Sequence, residues 1–211
     1  MKDRREIRLL SLLAALGLLY VGIDRVFFDK IVGADPLSVI QRILTIVVGI
    51  MLTALGGSLF VVAWRGRIPG TEKNAVLGKL LAYVFCAAPS AFVLGAFLVR
   101  TLKHSNVLDF SVVFLSAASL LFVLLWTRAA VRSLAASEAA KKHADQFLWS
   151  CVFFSMFSFM LGMAVSGYVW FSTDFIRSFG LIFWSAMTAV AIYPVRRDAK
   201  RLADATSSRT S

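Results

Sequence analysis

Six apolar stretches follow one another along a chain of 211 residues: 9–28, 37–64, 80–99, 108–126, 147–171 and 176–195. Each is close to or above the roughly 20 residues that a bilayer-crossing helix needs. Too little remains between them for a separate soluble domain. The chain is 59% hydrophobic and only 17% charged, whereas soluble domains are usually less than half apolar. An unpaired backbone amide or carbonyl is very costly in lipid, so each stretch is expected to be a helix that satisfies its own backbone. The expected fold is all-α: one integral membrane domain over residues 1–211, a polytopic bundle of six transmembrane helices. The opening basic head and apolar run resemble a signal peptide, but no Ala-x-Ala exit follows, so retention as the first span is expected.

The basic residues flank these stretches. Sixteen of the 23 lysines and arginines fall on the side holding the N-terminus, the second and fourth loops and the C-terminus; five fall on the other. The positive-inside rule assigns the richer side to the cytoplasm. Both termini are therefore expected there, as an even number of crossings requires, and the expected location is a cell inner membrane. Trp64, Trp126 and Trp149 fall at the inner ends of spans and Trp170 at an outer end, the interfacial positions that tryptophan favours. Trp184 lies deep in the sixth span, where its N–H calls for an acceptor on a neighbouring helix. The net charge of +11 fits topology and anionic lipid at the cytoplasmic face. No RNA-recognition or zinc-finger pattern accompanies it, so nucleic acid is not an expected partner.

Turn chemistry refines the boundaries. Asp35 and Pro36 suit the start of a second helix, and the Ile68–Pro69–Gly70 turn with Thr71 as cap starts the third before the membrane. Ser105 or Asn106 can cap the fourth helix, with Asp109 in its first turn, and the run STDFIRS reads as a tight outer turn. Residues 127–146 are alanine-rich and lack glycine and proline, so spans four and five are expected to continue as a cytoplasmic helical hairpin. Glu138 and Lys142 are spaced for a helical pair. Arg128, Arg132, Lys141 and Lys142 make this hairpin the candidate docking surface for a cytoplasmic protein or for acidic lipid heads. The tail after residue 195 reads as a basic helix end running into a polar, mobile terminus.

Within the spans, polar residues fall into stripes. Lys79, Tyr83, Cys86 and Ser90 share a sector of about 60° on the third helix. Beside them Ala87, Ala91 and Gly95 repeat every fourth residue, the spacing that lets helix backbones approach closely. Pro89 leaves the Phe85 carbonyl without its helical donor, for Ser90 or a neighbour to satisfy. On the fifth helix Cys151, Ser155, Ser158, Gly162 and Ser166 share a face, and the second helix brings Thr45, Gly49, Thr53 and Gly56. The candidate polar stripe is Tyr83, Cys86, Ser90, Ser155, Ser158 and Ser166. Cys86 and Cys151 should sit at different depths, so no disulfide is expected.

Buried ionisable groups would mark transport or catalysis. None lies near mid-membrane, and His104 and His143 are in loops. The candidate charge site is at the outer edge: Asp24 and Arg25 late in the first span, and Arg42 early in the second, with Asp24 and Arg42 placed to pair. The outer loops each combine acids with bases, in GIDRVFFDK, RTLKHSNVLD and STDFIRS. His-Glu-x-x-His, a phosphate-binding glycine loop and metal-ligand clusters are missing from the sequence. AVSGY at 164–168 lacks the partner histidine that serine chemistry requires. The expectation is a non-enzymatic protein with no cofactor and no metal. It would be a packing, assembly or sensing subunit of a homo-oligomer or of a complex with a membrane or cytoplasmic partner. The alternative is a small channel or solute carrier with a polar path along helices three and five.

Overall fold

The computed structural model describes residues 2–23, 26, 36–66, 68, 75–104, 107–135, 138–166 and 174–207. Among them are six helices and no strand: α1 Lys2–Ile23, α2 Pro36–Arg65, α3 Ala75–His104, α4 Val107–Leu134, α5 Glu138–Val165 and α6 Asp174–Ser207. The all-helical expectation holds. Four helical segments are long and apolar enough to cross a membrane: Val76–Leu102, Val107–Leu134, Ala140–Val165 and Phe179–Thr206. Ser11–Ile23 and Gly49–Arg65 are shorter apolar segments.

The start of α2 at Pro36 follows from proline's fixed φ, which suits a first helical turn where its missing N–H has no partner to lose. At its other end Gly66 takes a φ of 66°, and its N–H closes on the Val62 carbonyl at 2.8 Å. This left-handed cap is open to glycine without a steric cost. The alanine-rich stretch behaves as its propensity dictates, with α4 running to Leu134 and α5 starting at Glu138.

The bundle is organised around α3, which packs against α1, α4 and α5 and touches α6 more lightly. Helices α1 and α2 form one tight pair, and α5 and α6 another. At one end the α1–α2 pair meets α3, α5 and α6 through Leu18, Val21, Leu52, Phe92, Phe97, Val165 and Leu181. A second cluster joins α3 through α6: Leu80 and Val84, Val131, Phe147 and Phe154, and Val195, Ala199 and Leu202. This second cluster reaches the end of the bundle where Arg128, Arg132, Lys141, Lys142, Arg196 and Arg201 are exposed, hereafter the basic end.

Two sequence expectations need correction. The basic helix end is there but reaches further than a polar terminus would allow: α6 continues to Ser207, and Ala199, Leu202 and Ala203 are fully buried. They recur at helical spacing with Ala191 and Val195, so the C-terminal turns carry an apolar stripe that seals against the α4–α5 hairpin. The run STDFIRS is not merely a turn, because α6 already begins at Asp174; Asp is a favourable first-turn residue beside the positive end of the helix dipole.

Close approach replaces bulk in the apolar layer. Gly95 on α3 lies against the Phe159 carbonyl of α5, and Gly162 on α5 against the Phe92 carbonyl of α3. The two backbones cross with no room for a methyl on either side. In the α1–α2 pair a side chain at Gly22 would run into Thr53, and one at Gly56 would come within 3.1 Å of the Ala15 carbonyl. Lipid tails give no hydrophobic drive for helices to associate, so association rests on such tight packing and on polar contacts.

Candidate functional site

The polar stripe of α3 faces α4. The Tyr83 hydroxyl accepts a hydrogen bond from Trp126 Nε1 at 2.8 Å. Ser90 Oγ lies 3.2 Å from Ser119 Oγ and donates to the Cys86 carbonyl at 2.9 Å. The expected rescue of the Phe85 carbonyl by Ser90 therefore goes to Cys86 instead: a serine hydroxyl bonds back to its own i−4 residue, which is one position on. Cys86 and Ala87 pack on Val123 of α4.

The stripe of α5 faces α3 from the other side. Ser166 Oγ, in the turn just past α5, donates to the Ala96 carbonyl of α3 at 2.7 Å. Ser158 Oγ turns back to the Phe154 carbonyl at 2.8 Å, and Cys151 packs in the cluster containing Leu80, Val84 and Ala88. Ser155 Oγ is buried without a protein partner. On α3 the Ala87–Ala91–Gly95 line starts beside the Tyr83–Ser90 stripe but drifts about 40° every four residues, so Gly95 itself lies on roughly the opposite side at 100° per residue. The structure thus places Tyr83, Cys86 and Ser90 against α4 and Ser166 against α3, while Ser155 and Ser158 are buried without a side-chain bond to another helix. Cys86 and Cys151 are free thiols in different clusters.

Of the candidate charge site, Asp24 and Arg25 lie outside the described residues. Arg42 belongs to α2, but its side chain lies outside them too. The described ion pair between helices is another one. Arg100 Nε at the end of α3 meets Asp109 Oδ2 in the first turn of α4 at 3.1 Å, with the carboxylate buried and the guanidinium one-third exposed. Arg100 also lies over the Phe97 ring at 5.8 Å, a position where the ring face attracts a cation. The sequence carried a hint in the acid and base of RTLKHSNVLD. A double-mutant cycle of Arg100→Ala and Asp109→Ala should return a coupling of about 1 kcal/mol, the scale of a partly buried pair. Strictly additive melting shifts would refute an energetic link between them.

At the basic end, the four docking candidates Arg128, Arg132, Lys141 and Lys142 are all exposed. The helical pair forms one residue early: Lys141 Nζ, not Lys142, reaches Glu138 Oε1 at 2.9 Å, since i+3 and i+4 positions both neighbour residue i on a helix. A polar centre that sequence reasoning missed lies just inside. Asp198 is 3% exposed; its Oδ2 accepts from Ser150 Oγ at 2.7 Å and its Oδ1 from Arg197 Nε at 3.0 Å. The available signal was an acid on the Ala191–Val195–Leu202 apolar stripe, a place where a carboxylate needs partners. Trp184 packs tilted against Phe157 and edge-on against Phe183; among the described residues its N–H meets no acceptor, unlike the expectation.

Among the described residues, no group of three or more histidine, cysteine or carboxylate side chains comes together as a metal site would require. What the arrangement does chemically is join helices. The protein is an all-helical bundle whose four long apolar helices point to a membrane protein. No family model matches the sequence, and neither does any curated protein or solved structure.

Proposed function

We propose that the chain is a non-catalytic, multi-pass subunit of an inner-membrane complex. It crosses the bilayer six times with both termini in the cytoplasm and packs with copies of itself or with a membrane partner. The single observation that carries this reading is the use made of the polar stripes. Tyr83 with Trp126, Ser90 with Ser119, and Ser166 with the Ala96 carbonyl each tie one helix to another. Side chains spent on holding helices together are those of an assembly part. Because the stripes belong to opposite sides of α3, the same geometry weighs against one shared polar path along α3 and α5. Helix α4 adds support: it turns Leu108, Phe110, Phe114, Leu115, Leu121 and Phe122 outward, an apolar face suited to lipid or to another membrane helix. The exposed Arg128, Arg132, Lys141 and Lys142 would present the basic hairpin to a cytoplasmic partner or to anionic lipid heads.

The expected result is a stable oligomer, or a co-purifying membrane protein, when the full chain is extracted in mild detergent and its mass measured by light scattering. A strict monomer without a partner would overturn the reading. An N-terminal reporter active only outside the cytoplasm would overturn the orientation alone.

A further inference from the structure

We propose that the groove between α1, α2 and α3 at the basic end binds one anionic phospholipid, with an acyl chain in the groove and the phosphate between Arg8 and Arg65. The groove encloses about 420 Å³ and is walled by Leu55, Ser58, Leu59, Val62 and Phe85, with Arg65 among its lining residues. The α2 residues at 55, 58, 59, 62 and 65 share one helical face that runs for about 15 Å along the axis. The groove is therefore long and apolar, with a cation at one end.

Arg8 supplies a second cation at the same end. Ser11, three residues on from Arg8 along the same side of α1, also lines the groove. Arg8 itself lies against Gly66, where a side chain would come within 2.8 Å of its Nε. The bare, left-handed glycine that ends α2 is what lets the guanidinium approach. The carbonyl end of α2 accounts for one nearby cation, because its dipole is negative there. It does not account for two, nor for an apolar slot leading away from them. Among the described residues neither arginine forms an ion pair with a carboxylate. Next to Arg65, Trp64 is 80% exposed, as a ring at headgroup level would be. One ligand chemistry answers all of these features: a phosphate monoanion attached to a long hydrocarbon chain. The site is separate from the hairpin basic residues, and the inference requires only that the bundle lies in a bilayer.

The test uses the full chain in detergent, titrated with phosphatidylglycerol or with phosphatidylcholine of the same acyl chains, with bound lipid counted by native mass spectrometry. One phosphatidylglycerol should be retained at least about tenfold more strongly than phosphatidylcholine, the scale of two basic residues at an anionic surface. The Arg8→Gln/Arg65→Gln double variant should lose that preference, whereas Arg128→Gln/Arg132→Gln should keep it. Ser58→Phe, which fills the slot, should weaken retention of both lipids, and millimolar inorganic phosphate should not displace the bound lipid. Equal retention of the two lipids, a preference that survives the Arg8/Arg65 change, or displacement by inorganic phosphate alone would each overturn the proposal.

Discussion

An alanine at Gly162 should lower the melting temperature of the detergent-solubilised protein. In an open helix the same change would stabilise, since alanine is the better helix former by about 1 kcal/mol. At this crossing the new methyl meets the Phe92 carbonyl, a backbone atom that cannot rotate away. The helices must separate, and overpacking of this kind costs about 1–3 kcal/mol. Gly95→Ala should behave alike, because it faces the Phe159 carbonyl from the other helix. Valine at either position should be worse. Gly57 and Gly180 serve as controls, with nothing within 4 Å of the place a side chain would occupy. Alanine there should leave melting unchanged or raise it slightly. Four alanine variants with the same effect would remove the α3–α5 crossing from the account.

Asp198→Ala should be the second large loss, about 2 kcal/mol. The carboxylate is buried and accepts from Ser150 and Arg197, and a hydrogen bond to a charged group contributes about 1.5–3 kcal/mol. The arginine's own share is small, because its side chain is 46% exposed and an exposed ion pair contributes about 1 kcal/mol or less. Asp198→Asn should therefore retain most of the stability, since an amide oxygen still accepts from Ser150. Limited proteolysis with trypsin would read the same difference locally: Asp198→Ala should expose the arginines and lysine of the docked tail to cleavage, and Asp198→Asn should not. Wild-type melting and cleavage in both variants would show that Asp198 does not hold α6 to α5.

What the sequence reveals about such a bundle has a physical boundary. Helix positions are legible, since a run of apolar residues with a Pro36-type start and a Gly66-type stop is local information. So is the hairpin extension, whose alanines favour helix regardless of context. Faces are legible as well: the Tyr83–Ser90 and Ser155–Ser166 stripes emerge from the 100° repeat alone. Neighbours are not. Periodicity states that Tyr83 and Ser90 point one way, but not that Trp126 and Ser119 meet them, because the order of helices around α3 depends on contacts distant in the chain. The docking of the basic helix end is hidden for a related reason. Arg196, Arg197, Lys200 and Arg201 dominate its composition, while the burial of Ala199 and Leu202 follows only from the stripe between them. Asp109 is legible as a first-turn acid and Asp198 carries no local signal beyond its place on the apolar stripe; the pairing of the first with Arg100 and of the second with Ser150 is tertiary.

The polar links between α3 and α4 are spaced along the whole length of the pair. Asp109, Ser119 and Trp126 are separated by about 15 Å and then about 10 Å of helix, and their partners Arg100, Ser90 and Tyr83 descend α3 in the opposite direction. They work as rungs. A piston stroke of α4 by one turn would part all three together, and the middle one, Ser90 with Ser119, is farthest from any substitute donor or acceptor at the two ends. Sliding of this helix along α3 is thereby opposed at three separate levels at once.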